Sequence, residues 1–266
     1  MKPTVIVCMP AYKAETTLAK TYHALPDGVA DEVIVVDDAS PDGTVAEAHR
    51  LGLPVLVHPV NRGYGGNQKT CCDEALRRGA DIVVLLHPDF QYDPTAVPAL
   101  IRPLQEGRAE FTFGSRFAEG GDPRAGGMPL YRYVGNRLTT ALENMVLGTH
   151  FAELHSGLKA YTRGFLESLH YHAYSDDFVF DSQMVIEAIV RKCRVVEVPI
   201  PTRYAHDSSS VSVSRSLKYI SETLMCLWQV KTGRGAWDKS KVPPAPGRLH
   251  PASPETSIMG GSETQG

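Results

Sequence analysis

The chain has no CxxC pair and no regular cysteine spacing. Its five cysteines, Cys8, Cys71, Cys72, Cys193 and Cys226, are an odd number with two adjacent, which excludes a disulfide framework and suits a reducing compartment. No stretch approaches the ~20 apolar residues of a membrane span. The opening MKPTVIVCMPAY carries one lysine and an apolar run cut by Pro10, without the apolar region and small-residue cleavage site of a signal peptide. A surplus of one charge sign is missing as well: 27 Lys and Arg face 30 Asp and Glu, a formal net charge of -3. With no overall basic field, nucleic acid is not an expected partner, and any anion site must be local. These absences place the protein in the cytoplasm, free or peripheral at the inner face of the plasma membrane.

What is present is a core and a rhythm. Apolar residues make up 42% of 266, enough to fill one large α/β domain. TVIVCMPAY reads as a buried strand, AETTLAKTYHAL as a helix, and DEVIVVDDASPDGT as a second strand ending on two carboxylates and a turn. The alternation continues through TVAEAHRLG, LPVLVHP, the Gly-rich NRGYGGNQKTCCDEALRRG and ADIVVLLHPD. Strands apolar along their whole length, alternating with helices, predict a mostly parallel sheet covered on both faces. PTAVPALIRPLQEG reads as a helix interrupted by prolines and AEFTFGSRF as a strand before a Gly/Pro-rich loop. YRYVGNRLTTALENMVLG and FVFDSQMVIEAIVRKC read as helices, HSGLKAYTRGFLESL as a strand or turn followed by a helix. RVVEVPIPTRY, with two prolines, reads as a strand at a sheet edge. RSLKYISETLMCLWQVK predicts an amphipathic helix with Leu217, Ile220, Leu224, Leu227 and Trp228 on one side, facing the domain or a membrane. Residues 1–235 are expected to form one domain, and the Pro/Ser/Gly-rich 236–266 a disordered tail.

In a parallel α/β sheet, ligands bind beyond the carboxyl ends of the strands. Three strand ends here are polar: Pro10-Ala11-Tyr12, Asp37-Asp38, and His87-Pro88-Asp89. If the third stays extended, His87, Asp89 and Gln91 share one side, and an imidazole, a carboxylate and an amide oxygen there can hold a hard divalent cation. The alternative is a strand-end cap and turn. Asp37 or Asp38 can accept hydrogen bonds from a nucleobase or ribose, or merely cap the turn. Asn61, Arg62, Gly65 and Lys69 lie in NRGYGGNQK, whose glycines before a helix favour a bound phosphate or a close backbone approach. The loop matches neither GxxxxGK[ST] nor GxGxxG in register, which makes the phosphate-loop enzymes unsuitable.

Taken together, VIVCMPAYKAETTL, EVIVVDDASPDGT, NRGYGGNQKT, LLHPDFQYDP, FGSRF, HSGLKAYTR, SDDFVFDSQM and EVPIPTRY resemble a family 2 glycosyltransferase of GT-A fold, in the branch of dolichyl-phosphate mannose synthase. The resemblance runs from Thr4 to Lys218 and implies an inverting, metal-dependent transfer from a nucleoside-diphosphate sugar to a polyprenyl phosphate or a cell-envelope glycan intermediate. It assigns the base or ribose to Asp38 with Asp37, and Mn²⁺ or Mg²⁺ to Asp89 and Gln91. His87 stands where the family usually has aspartate, a neutral and softer donor that relatively favours Mn²⁺. The resemblance also makes Asp177 or Asp176 a candidate general base, unneeded if the acceptor is already an ionised phosphate, or alternatively a helix cap. Arg203, in a Ser-rich segment running through Arg215 and Lys218, resembles a loop closing over phosphates. Arg116 is expected at donor or acceptor, and His155 and Ser156 on the acceptor side. Two other classes stay open: a nucleotide-sugar-binding protein without turnover, and a sugar-1-phosphate nucleotidyltransferase.

Overall fold

The computed structural model describes residues 2–119, 121–201 and 213–233, with backbone only for 213–217. The β-branched run after Thr4 forms β1 (Val5–Ala11), and α1 (Leu18–His23) leads to β2 (Glu32–Asp37). Then come α2 (Thr44–Arg50), β3 (Val55–Val57), α3 (Tyr64–Arg77) and β4 (Ile82–Leu85). Asp93 accepts from the Thr95 amide to cap a short 3-10 turn, Pro94–Ala96, which feeds α4 (Val97–Gln105). Beyond it lie β5 (Phe111–Ser115), α5 (Leu130–Leu147), β6 (Lys159–Thr162), α6 (Arg163–Ser168), α7 (Phe180–Val190), β7 (Val195–Pro199) and α8 (Val213–Thr232).

The sheet runs β3-β2-β1-β4-β6-β5-β7, parallel except where β6 lies antiparallel to both β4 and β5. The parallel expectation holds for the first four strands, whose helical crossovers force it. The strand expected after HSG becomes this reversed insert, and RVVEVP becomes the edge, paired among the described residues to β5 alone.

Successive residues of β1 serve opposite faces. Ile6 and Cys8 join Ile34, Val83, Phe111 and Tyr161 in the core beneath α3 and α7. Val5, Val7 and Met9 join Val35, Val84, Leu100 and Leu104 on the side of α4. Each fully buried Val or Leu contributes about 1.5–3 kcal/mol, so both layers hold the strand ends in place. All five cysteines are free. Burial pushes the Cys71 and Cys72 thiols well up, so the adjacent pair packs as small apolar groups.

In α8, Cys226 and Leu227 are buried, whereas Leu224, Met225 and Trp228 are exposed. The apolar side read from the sequence is therefore divided between the core and the surface. Residues 236–266 lie outside the described residues.

Candidate active site

The parallel half of the sheet has its topological switch at β1. The chain moves outward to β2 and β3 on one side and returns to β4 on the other, so the loops leaving β1 and β4 diverge and open a crevice. Ala11 pairs with Asp37, and the Leu86 amide donates to the Cys8 carbonyl, so Tyr12, Asp37 and His87 leave three adjacent strands along one edge. Tyr12 is half exposed there, while Pro10, expected at the ligand, lies buried within β1 opposite Val36.

The two adjacent aspartates do different work. Asp38 is buried, and its carboxylate accepts from the amides of Arg62 at 2.7 Å and Gly63 at 3.0 Å while contacting His58 Nδ1 at 2.8 Å. Both oxygens are committed to holding the loop after β3, and Asn61 supports it by donating to the Asp38 carbonyl. This corrects the expectation that Asp38 faces the base or ribose, and Asn61, expected beside a phosphate or a close backbone approach, serves the loop's own backbone. Asp37 is fully buried; its Oδ2 accepts from the Ser40 amide at 2.9 Å, and its Oδ1 has no hydrogen-bond partner among the described residues. A buried carboxylate oxygen without a donor is costly. Asp37, not its neighbour, carries the unfilled acceptor.

The glycines of NRGYGG serve a close backbone approach rather than a phosphate. Helix α3 begins at Tyr64, and the amides of Gly65 and Gly66 donate to the Asp176 carbonyl. A Cβ on Gly65 would come within 2.5 Å of the Ser175 carbonyl oxygen, and one on Gly63, at φ +84°, within 2.7 Å of that of Asp176. Lys69, expected at substrate, is buried; its ammonium donates to the carbonyls of His172 and Tyr174 and to Asp176 Oδ1 at 2.8 Å. Of this motif, the Arg62 side chain remains exposed, donating among the described residues to Thr70 Oγ1 at 3.2 Å.

The extended row expected for His87, Asp89 and Gln91 does not form. Strand β4 ends at Leu85, and the chain turns through residues 88–91 with Phe90 at φ +58° and the Gln91 amide donating to Asp89 Oδ1. The Pro-Asp pair so near the strand end makes this an Asx turn, which moves Gln91 off any shared face. His87 Nε2 lies 3.0 Å from Tyr64 Oη, and the Tyr64 hydroxyl donates to Asp181 Oδ2 at 2.7 Å. Asp181 Oδ1 pairs with Lys159 Nζ at 2.8 Å. Burial, outweighing the attraction of Asp89, lowers the His87 pKa from its ordinary value and so favours the neutral form that ligates metals. Among the described residues no three His, Cys, Asp or Glu side chains converge as a closed metal centre. The side chains left here that could hold a cation are His87 and Asp89, whose Oδ1 already accepts from the Gln91 amide; a bound substrate would have to supply the remaining ligands.

Asp176 and Asp177 each face an ammonium: Lys69 for the first and Lys218, at 2.6 Å from Asp177 Oδ2, for the second. Neither is the N-cap of α7, which falls at Val179. Arg116, expected at donor or acceptor, grips the fully buried Glu153, which also accepts from Asn136 Nδ2 at 2.9 Å. Burial pushes Glu153 up, but the Arg116 charge overcomes this and keeps its carboxyl below the usual range. His155, expected on the acceptor side, is enclosed between Glu143 at 3.0 Å and Tyr219 at 2.7 Å, and Ser156 is fully buried. Both are corrected to core positions. Arg203 and the side chain of Arg215 lie outside the described residues. Sequence reading missed His58, Tyr64, Glu153, Lys159 and Asp181 as parts of this region. Four of them stand inside the quoted motifs or within two residues of one, but their partnership spans up to 117 positions.

Comparison with known proteins agrees with this geometry. Residues 6–169 match the model of glycosyl transferase family 2. The chain is 32% identical over 213 residues to polyprenol monophosphomannose synthase of Mycolicibacterium smegmatis, covering 75% of this chain and 78% of the relative. It is 29% identical over 203 residues to undecaprenyl-phosphate mannosyltransferase of Micrococcus luteus, covering 74% and 82%. Among solved structures, glucosyl-3-phosphoglycerate synthase of Mycobacterium tuberculosis in complex with Mn²⁺, UDP and glucosyl-3-phosphoglycerate superposes with a TM-score of 0.66 at 23% identity, over 88% of this chain and 81% of that one. That likeness shows the shared fold. The chain belongs to glycosyl transferase family 2 and is a glycosyltransferase of GT-A fold.

Proposed function

We propose that the chain transfers a glycosyl residue, with inversion, from a nucleoside-diphosphate sugar to a polyprenyl phosphate. The observation that carries the donor site is Asp37: a buried carboxylate oxygen with no donor among the described residues, at the strand edge where a base imide or ribose hydroxyl would supply one. Tyr12 offers a half-exposed ring beside it for stacking, and the Arg62 guanidinium an exposed charge for the diphosphate. His87 and Asp89 would hold a divalent cation, Mn²⁺ or Mg²⁺, which when bound supplies neutralisation of the diphosphate as it departs.

The acceptor class is supported by the names of the relatives, two of which act on polyprenyl or undecaprenyl phosphate, and by the state of the acidic pair. Asp176 and Asp177 each hold an ammonium, an arrangement that serves positioning better than proton removal. A phosphate acceptor needs no base: its oxygen attacks the anomeric carbon while the anomeric C–O bond to the diphosphate breaks on the opposite face. The surface suits a lipid substrate. Leu130, Val134, Leu138 and Met145 form an exposed stripe along α5, and Leu224, Met225 and Trp228 another on α8, which packs against α5. Such stripes favour peripheral binding at the membrane interface, and among the described residues no helix is long and apolar enough to cross a membrane.

The test is incubation with labelled UDP-, GDP- and dTDP-sugars, undecaprenyl phosphate and Mn²⁺, followed by solvent extraction. Label from one nucleotide class should move into the organic phase as a glycosyl phospholipid. Protein that binds a donor yet labels only water-soluble acceptors would refute the lipid-phosphate reading. Family membership already displaces the nucleotidyltransferase alternative, and turnover of any acceptor would dispose of the non-catalytic one.

A further inference from the structure

Behind His87 lies a buried chain of polar groups that donor binding does not require. It runs from Lys159, fully buried in β6, through Asp181 on α7 to Tyr64 at the start of α3, and ends on the imidazole: Lys159 Nζ to Asp181 Oδ1 at 2.8 Å, Tyr64 Oη to Asp181 Oδ2 at 2.7 Å, and Tyr64 Oη to His87 Nε2 at 3.0 Å. Four separate segments meet in this line. Room for it is left by Gly157, where a Cβ would stand 3.1 Å from Tyr64 Oη and 3.2 Å from the His87 ring. The Tyr64 ring is further held against Phe178, with centroids 4.6 Å apart.

With Lys159 and Asp181 as an ion pair and His87 neutral, the proton count along this line has one solution. An ammonium on one oxygen of Asp181 keeps that carboxylate an acceptor, so its other oxygen takes the single Tyr64 hydrogen. The tyrosine oxygen can then only accept from the ring, which requires the hydrogen of His87 to sit on Nε2 and leaves Nδ1 with its lone pair bare. We propose that Lys159, Asp181 and Tyr64 are positioning residues that lock His87 in its Nε2–H tautomer and so present Nδ1 to the divalent cation of the donor complex. The inference rests on the donor-site reading above, and it explains how histidine stands where the family usually has a carboxylate. A carboxylate offers an acceptor in every rotamer, whereas an imidazole offers one only if its tautomer is fixed from behind.

Histidine ¹⁵N spectra of the whole chain at about pH 8, above the ordinary imidazole pKa of about 6.5, test the lock without any ligand, with the His87 signals assigned by difference from His87→Asn. Wild type should show the Nε2–H pattern. In Asp181→Asn the amide oxygen stays with Lys159 and the amide hydrogens face Tyr64, which turns the tyrosine hydrogen toward the ring and should convert His87 to Nδ1–H. Because that variant disturbs a buried ion pair, Tyr64→Phe provides the second arm: it keeps the ring packing, should give mixed tautomers, and should weaken Mn²⁺ binding in the presence of UDP roughly tenfold, the scale of lost support behind a metal ligand. A wild-type Nδ1–H pattern, or a tautomer unchanged in both folded variants, overturns the inference. Equal Mn²⁺ uptake with UDP by wild type and Tyr64→Phe refutes it while leaving the donor site intact, whereas wild type that takes up no nucleotide at all refutes the donor-site reading itself.

Discussion

Asp37 and Asp38 are chemically identical neighbours, and the structure requires them to fail in opposite ways. Replacing Asp38 by Asn leaves one carbonyl oxygen where a carboxylate served three donors, the amides of Arg62 and Gly63 and the His58 ring. The oxygen can keep the Arg62 and His58 side, so the amide group must confront the Gly63 N–H. One charge-assisted bond is lost in a buried place, about 1.5–3 kcal/mol. For a domain of this size each kcal/mol lowers Tm by roughly 2–4 °C, so Asp38→Asn should melt roughly 3–12 °C lower. In Asp37→Asn the oxygen keeps the Ser40 amide, and the new amide group occupies the place of the unpartnered Oδ1. Stability should stay within about 1 kcal/mol of wild type, while UDP affinity falls because the donor base or ribose meets a donor instead of an acceptor. Thermal unfolding and calorimetric UDP titration of both variants decide the matter. Equal losses of stability, or a Tm loss confined to Asp37→Asn, would refute the division of labour.

Gly65→Ala puts a Cβ against the Ser175 carbonyl and should cost about 1–3 kcal/mol in urea unfolding, unlike Gly79→Ala, where no atom lies within 4 Å and only the left-handed φ of +90° opposes it. If a phosphate acceptor is used, Asp177→Asn should retain turnover within about an order of magnitude, since loss of a true general base costs roughly 10²–10⁴-fold; a larger fall would restore the base. Glu74 accepts from Arg77 and Arg78, and its bond to Arg77 leads the fall of its pKa from 4.5 to about 2 despite burial. Its contribution is complete above pH 4.5 and is lost as pH falls toward 2, so urea midpoints of wild type should drop more steeply across that window than those of Glu74→Gln.

Most of the architecture was legible because its causes are local. Val-Ile-Val-Val followed by two acids, helices closed by Gly79 and Gly148 at positive φ, and the Pro-bearing edge strand each announce themselves within about ten residues. The reversal of β6 did not, because direction in a sheet depends on which neighbours a strand meets. Lys159 in that strand is fully buried, and the carboxylate that pairs with it, Asp181, stands 22 residues later on α7.

The site was legible as a list and not as an assignment. Polar residues do stand at three adjacent strand ends, but acids there also close turns and hold loops, as Asp38 and Asp89 do. Which side chain faces outward is decided by donors arriving from afar: the loop amides of Arg62 and Gly63 claim Asp38, and the carbonyls of residues 172 and 174 claim Lys69. A motif therefore contains two kinds of residue, those that touch the ligand and those that shape the loop around it. In NRGYGGNQK nearly every polar atom belongs to the second kind, because a helix start pressed against another backbone must first satisfy its own amides. The Arg62 guanidinium, open to solvent and donating to Thr70 Oγ1 at 3.2 Å, is therefore the group of this motif that the proposed donor site assigns to the diphosphate.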